Sequence, residues 1–177
     1  MKSIMNKQIY IINGSGGVGK DTFITLVGEQ SNLRIMNYSS VDKVKEVARI
    51  IGWDGSKSEQ DRKFLSDLKL LCSEYNDMPF ISMLEKVKLF KSSNSDILFL
   101  HIREPKEIER ARVEFGAKTL LIKRKSVKHI VSNEADRDVF NYTYEIEIDN
   151  DGDIEALCRI AKNFADDIVR GIERRKY

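Results

Sequence analysis

The stretch Gly14-Ser15-Gly16-Gly17-Val18-Gly19-Lys20-Asp21-Thr22 gathers the residue types from which a chain builds a phosphate cradle. Glycines let backbone N–H groups close around an anion, and a lysine after the last of them reaches the terminal phosphates of a nucleotide. Gly14, Gly19 and Lys20 keep the spacing G-x-x-x-x-G-K-[ST], but Asp21 stands where the pattern has a magnesium-binding hydroxyl. A bare carboxylate about 5 Å from one phosphate charge, at an effective dielectric of about 20, would oppose binding by about 3 kcal/mol. A divalent cation between them reverses that sign, and carboxylate oxygen is a good ligand for Mg²⁺, directly or through water. Asp21 is therefore either the metal ligand of a working site or only an acidic helix-start residue. Thr22 adds a hydroxyl and an N–H suited to an α-phosphate.

Such a loop needs a strand before it and a helix after it, so that loop amides and helix N-terminus face the same anion. Gln8–Asn13 is an apolar run ending at the loop, and Phe23, Leu26 and Val27 recur at helical spacing beyond it. Further strands are expected at Leu33–Ser39, Asp96–Ile102, Lys118–Arg124 and Tyr142–Ile148. A helix through Val41–Gly52 follows the second strand. The next helix opens with a capping-box pair, Ser58 and Asp61, and carries Phe64, Leu65, Leu68, Leu71, Cys72 and Tyr75 on one expected apolar face. Pro79 starts another helix, and Gly116 suits the C-cap of the helix after the third strand. The last helix, about Asp153–Arg170, should bury Ile154, Leu157, Ile160, Ala161, Phe164 and Ile168. Strands alternating with helices predict a three-layer α/β domain with a mostly parallel five-stranded sheet covered on both faces. The loops after Asn13, Ser39, Ile102 and Lys123 should then converge on one cleft.

The 177 residues suit one domain, and 30 Lys+Arg against 28 Asp+Glu leave a net charge of only +2. That balance gives no general attraction to nucleic acid or membrane, so a charged ligand must be held by local arrangement. The chain has no apolar run of about 20 residues and no secretory leader pattern, which predicts a cytoplasmic protein. Cys72 and Cys158 are far apart and lie among apolar residues, as expected of buried thiols.

Gly-Lys-Asp-Thr in place of Gly-Lys-[Ser/Thr] resembles the phage-type deoxynucleoside monophosphate kinases, and Gly-Lys-Asp is similar to the loop of animal-type phosphomevalonate kinases in the same P-loop kinase group. The run LHIREPKEIERARVEFGAKTLLIKR follows that group's layout with Arg103, Glu107 and Gly116, except that His101 replaces the group's aspartate. The closing strand, Asn-Asp-Gly turn and helix also look like the group's ending. The resemblance implies a single P-loop kinase domain over residues 1–177, with ATP and Mg²⁺ as cofactors and a small phosphorylated acceptor. It implies an acceptor-binding helical segment at about 40–91, placing Asp42 and Lys45 near the substrate and making Arg62 a phosphate clamp. Arg103 would contact both acceptor and transferring group, joining Lys20 and Arg124 as catalytic. Residues 124–140, with Arg124 and Lys125, would form a lid over the phosphates, and Asn133 and Asp136 would stand behind it. For the arginines and the basic loop a solvated surface remains the competing reading, and His101 is either part of the metal arrangement or a packed strand end, with Glu104 a substitute ligand. The acceptor is a nucleoside or deoxynucleoside monophosphate on this reading, with another metabolite, or a non-catalytic nucleotide-binding role, as alternatives. Neither nucleic acid nor membrane is an expected partner; the chain should act as a monomer or homodimer.

Overall fold

The computed structural model describes residues 7–127 and 138–177. Five strands, β1 (Gln8–Asn13), β2 (Ile35–Ser39), β3 (Ile97–His101), β4 (Lys118–Lys123) and β5 (Ile146–Asp149), form one sheet in the order β2-β3-β1-β4-β5. Every pairing is parallel. All carboxyl ends therefore lie along one edge, which is where an open parallel sheet places a ligand.

Period-two alternation splits the core between the two faces. Tyr10 and Ile12 of β1, with Phe99 and Ile122, pack on one side against α1 (Lys20–Glu29) and the last helix, α6 (Ile154–Arg170). Ile9 and Ile11, with Leu98, Leu100 and Leu121, pack on the other against α4 (Met78–Ser92) and α5 (Pro105–Phe115). The result is the three-layer α/β fold of P-loop NTPases. Phe164 is the pivot of the first layer, with its ring 5.1 Å from Tyr10, 5.3 Å from Phe23 and 5.6 Å from Tyr177.

Helices α2 (Asp42–Ile50) and α3 (Glu59–Asn76) pack on each other and on α4, beyond the carboxyl end of β2. The capping box of α3 is present: the Asp61 N–H donates to Ser58 Oγ and the Ser58 N–H to Asp61 Oδ2, both at 3.1 Å. The expected apolar face of that helix is not. Leu71 and Tyr75 are exposed, Phe64, Leu65, Leu68 and Cys72 are half-buried, and the residue α3 buries is Lys69. Among the described residues α2 and α4 cover one side of α3, and the ionic contact of buried Lys69 sets which side faces in. In α6, Leu157, Ala161 and Phe164 are buried, Ile160 and Ile168 half-buried, but Ile154, the first residue of the helix, is exposed. Both cysteines are free and half-buried rather than fully buried.

After α6 the chain returns to the sheet. Glu147 N–H donates to the Arg175 carbonyl (2.8 Å) and accepts, at its own carbonyl, the Tyr177 N–H (2.9 Å), so residues 175–177 run parallel to β5 along its outer edge. The Tyr177 hydroxyl donates to buried Asp167 at 2.9 Å, and Arg174 pairs with the same carboxylate at 3.1 Å. Truncating Phe164 to Ala should cost about 3–5 kcal/mol by opening a cavity between the rings of Tyr10, Phe23, Phe99 and Tyr177. Val169→Ala on the exposed face of the same helix should stay within about 0.5 kcal/mol, and urea unfolding of the two variants measures the contrast.

Candidate functional site

The loop between β1 and α1 is held by what it lacks and by two asparagines. Gly14 has φ 145°, and a Cβ there would collide with the Ile122 carbonyl of β4. Gly19, at φ 94°, would set a Cβ 2.7 Å from Asn150 Nδ2. Glycine alone fits both places. Asn13, buried at the end of β1, accepts the Gly14 N–H (2.8 Å) and donates to the Tyr144 hydroxyl (2.7 Å) and the Arg103 carbonyl (3.2 Å). Asn150, beyond β5, donates to the Val18 carbonyl at 2.8 Å. The loop is thus tied to β3, β4 and β5. Burial pushes the Tyr144 phenol up to about 12, so it stays a neutral partner, donating to the Val139 carbonyl at 2.9 Å.

Lys20 opens α1 and folds its ammonium back onto the loop, donating to the carbonyls of Gly14 (2.6 Å) and Ser15 (2.9 Å). Ser15 and Val18 are buried, whereas Gly16, Gly17, Asp21 and Thr22 are exposed. The Asp21 side chain, 89% exposed in the first turn of α1, is open to bulk water and to any ion near the loop.

His101 ends β3, in register with Ile12 on one side and Ser39 on the other. Its Nε2 is 2.8 Å from Asn37 Oδ1 and 3.9 Å from Asp21 Oδ1. Burial outweighs the Asp21 and Asp42 carboxylates and, helped by the Lys20 and Arg103 charges, holds its pKa down to about 4. The ring is a neutral imidazole at pH 7. Lys20, Asp21, Asp42 and Arg103, all expected at the site, thus share one electrostatic neighbourhood with it.

Beside this lies a cluster that the sequence reading missed. Lys69 of α3 is buried and donates to Glu104 Oε2 (2.6 Å), Glu107 Oε2 (2.6 Å) and Ser40 Oγ (3.2 Å). Burial opposes ionisation of Glu104, but the Lys69 ammonium and hydrogen bonds outweigh it and leave that carboxyl below the usual range; burial, with Glu104 alongside, pushes Glu107 up. Glu104, considered as a metal ligand, is committed to Lys69 instead. The signal was Lys69 itself, four residues after Leu65 and three before Cys72 on the apolar stripe of its helix.

The remaining expected residues divide. Asp42 and Lys45 lie at the start of α2, both half-buried: Asp42 accepts the Ser39 N–H at 2.8 Å and lies 3.6 Å from Lys45 Nζ. Arg62 is exposed on α3. Arg124 follows β4 and donates from Nε to Ser126 Oγ at 3.2 Å, while Lys125 is drawn to Asp151 through its N–H (2.7 Å) and its ammonium (3.0 Å). Asn133 and Asp136, and with them most of the lid expected at 124–140, lie outside the described residues. Among the described residues no three His, Cys, Asp or Glu side chains gather around a metal-sized space, and no helix is long and apolar enough to cross a membrane. The donor chemistry at Asp21 nevertheless fits a divalent ion that takes one carboxylate and completes its shell with phosphate oxygens and water.

The chain matches no family model and no curated protein. Among solved structures it is similar to a shikimate kinase from Aquifex aeolicus, at 13% identity over 93% of this chain and 99% of that one, with a TM-score of 0.48. It is also similar to a sugar kinase from Janibacter sp. HTCC2649 (14%, 96% and 99%, TM-score 0.44) and to a de novo designed P-loop NTPase fold (15%, 94% and 96%, TM-score 0.40). The fold assignment stands on the strand order and the loop of the chain itself.

The low pKa of His101 has a consequence for stability. An unfolded histidine titrates near 6.5, so between about pH 6.5 and 4 the unfolded chain binds a proton that the folded one refuses. The contribution is full above that window and lost as pH falls through it. Urea unfolding from pH 7 to 4.5 should show His101→Gln with the shallower decline, the difference being at most about 3 kcal/mol; parallel declines would refute it. Lys69→Met, which leaves the half-buried Glu107 and the more exposed Glu104 without their cation, should cost at most about 3 kcal/mol in the same assay, and an unchanged midpoint would mean the cluster is energetically neutral.

Proposed function

We propose that the protein is an ATP-dependent phosphotransferase that moves the γ-phosphoryl group to a small phosphorylated acceptor, a nucleoside or deoxynucleoside monophosphate being the acceptor class favoured. The observation that carries this is the loop: Lys20 holds the Gly14 and Ser15 carbonyls at the carboxyl edge of a parallel sheet, with Arg103 just beyond β3 and Asp42 and Lys45 at the start of the helix that follows β2. Such a lysine exchanges loop carbonyls for β- and γ-phosphate oxygens when a nucleotide enters.

On this reading the loop amides of Gly14–Gly19 and the N-terminus of α1 hold the phosphates, and Thr22 meets the α-phosphate. Asp21 would hold magnesium, which when bound would supply charge neutralisation for the phosphates. Lys20 and Arg103 neutralise the charge that develops on the transferring group, and Arg124 gives up Ser126 to join them from the start of the lid. Lys45 and Arg62, in the acceptor segment at about 40–91, bind the acceptor phosphate, for which the guanidinium fork is suited. An acceptor phosphate oxygen then attacks in line and ADP leaves, with no covalent enzyme intermediate.

The test is ADP release from Mg-ATP with a panel of nucleoside and deoxynucleoside monophosphates plus phosphomevalonate. Acceptor-dependent turnover should fall at least about 10³-fold in Lys20→Ala, on the scale of removing a main electrostatic stabiliser. Asp21→Ala should sharply weaken magnesium-dependent nucleotide binding. Binding of ATP without turnover on any acceptor would favour a nucleotide-sensing protein instead.

A further inference from the structure

Lys69 is the residue of α3 that the fold encloses, and what it holds lies at the carboxyl edge of the sheet rather than in either apolar core. Its ammonium meets Glu104 Oε2 and Glu107 Oε2, each at 2.6 Å, and Ser40 Oγ at 3.2 Å. These partners belong to the segments that follow β2 and β3. We propose that Lys69 is a positioning residue of the phosphoryl-transfer site, docking the acceptor-binding segment on the carboxyl end of β3 and holding Arg103 in place through Glu104. The inference deepens the phosphotransferase reading above and rests on it for the role of Arg103.

Arg103 stands between two tethers. On one side its carbonyl accepts a hydrogen bond from Asn13 Nδ2 at 3.2 Å, which ties it to the phosphate loop. On the other, the next residue, Glu104, carries the ion pair to α3. Ser40, also buried, closes the ring: its N–H donates to the His101 carbonyl at 3.0 Å and its hydroxyl accepts from Lys69. The ends of β2 and β3 and the helices α3 and α5 thus meet at one ammonium.

A stabilising role alone leaves this composition unexplained. Glu104 occupies the N-cap of α5, yet no side-chain hydrogen bond caps that helix, because the carboxylate is turned to Lys69. A buried lysine loses hydration that its ion pairs only roughly offset, so such a cluster fixes an arrangement more than it adds stability. What it joins bears on the two partners of the reaction: α3 carries Arg62, expected on the acceptor phosphate, and Arg103 is expected on the transferring group. A misplacement of about 1 Å between such groups costs on the order of 100-fold in rate.

The experiment uses the full chain and two variants, Lys69→Met and Glu104→Gln, the second conserving shape at a side chain that is 42% exposed and so keeping the fold. Relaxation dispersion of the backbone amides comes first, because it needs neither ATP nor acceptor. Exchange broadening should rise at least about twofold at Arg103 and Glu104 in both variants and stay unchanged at Ile11 of β1. With Mg-ATP and the acceptor that supports turnover, kcat should fall about 30-fold in Lys69→Met and about fivefold in Glu104→Gln, and the acceptor KM should rise, while ATP affinity stays within about twofold. In an Arg103→Ala background the same Lys69→Met change should cost at most about threefold more, since both act through one guanidinium. Unchanged amide exchange in both variants, an unmoved kcat, or an equal loss of kcat with and without Arg103 would overturn the proposal. The expected amide exchange in a chain that turns over no acceptor would uphold the link from α3 to Arg103 and count against the phosphotransferase reading alone.

Discussion

The contact between Gly14 and the Ile122 carbonyl fixes where β1 can hand the chain over to α1, and the other groups at the carboxyl edge take their positions from it. With no side chain there, the turn can approach the β4 backbone closely, and the Gly14 N–H is held by Asn13 Oδ1. Asn13 and Asn150 then close the arrangement from either side, one through Arg103 and Tyr144, the other through the Val18 carbonyl. Both asparagines are buried, and each hydrogen bond satisfies a backbone or hydroxyl group that would otherwise be costly to desolvate. An anion site made of backbone dipoles works only if the backbone is held in advance, and these contacts hold it.

Around the loop, charge is distributed unevenly. Lys20, Asp21 and Asp42 stand at the rim, while His101, closer in, stays neutral because burial disfavours its protonated form. Further back, Lys69 crosses from α3 to the first turn of α5 and meets two carboxylates and a hydroxyl. That ionic knot lies one residue from Arg103, so the segment expected to bind an acceptor and the segment expected to stabilise the transferring group share an anchor. Buried ion pairs contribute little net stability, but their direction is specific, and here they set the face that α3 turns inward.

The loop and four strand positions were legible because their signals are local, whereas the fifth strand begins at Ile146 and not at Tyr142, because the apolar-polar alternation there starts before the chain reaches β4. Gln8–Asn13 is apolar on both faces, the glycine spacing names the turn, and Ser58 with Asp61 announces a helix start. The burial of α3 was not. Its apolar residues recur at helical spacing, yet nothing in that pattern says how much of the helix a neighbour will cover, and Leu71 and Tyr75 stand in solvent while a lysine is enclosed. Asn13, Asn37 and Asn150 escaped for a related reason: an asparagine at a strand end has many uses, and only the strand register, set by contacts distant in the chain, assigns one.

The run of residues 175–177 along β5 changes what the sheet offers to other molecules. A parallel sheet ends in two rows of unpaired peptide groups, each a template on which another chain can add a strand. At the β5 side those groups are already bonded to Arg175 and Tyr177, and the tail is pinned by the Tyr177 ring on Phe164 and its hydroxyl on Asp167. Residues 175–177 therefore guard that edge against edge-to-edge aggregation, and a substitution that disturbed them would be felt first in solubility.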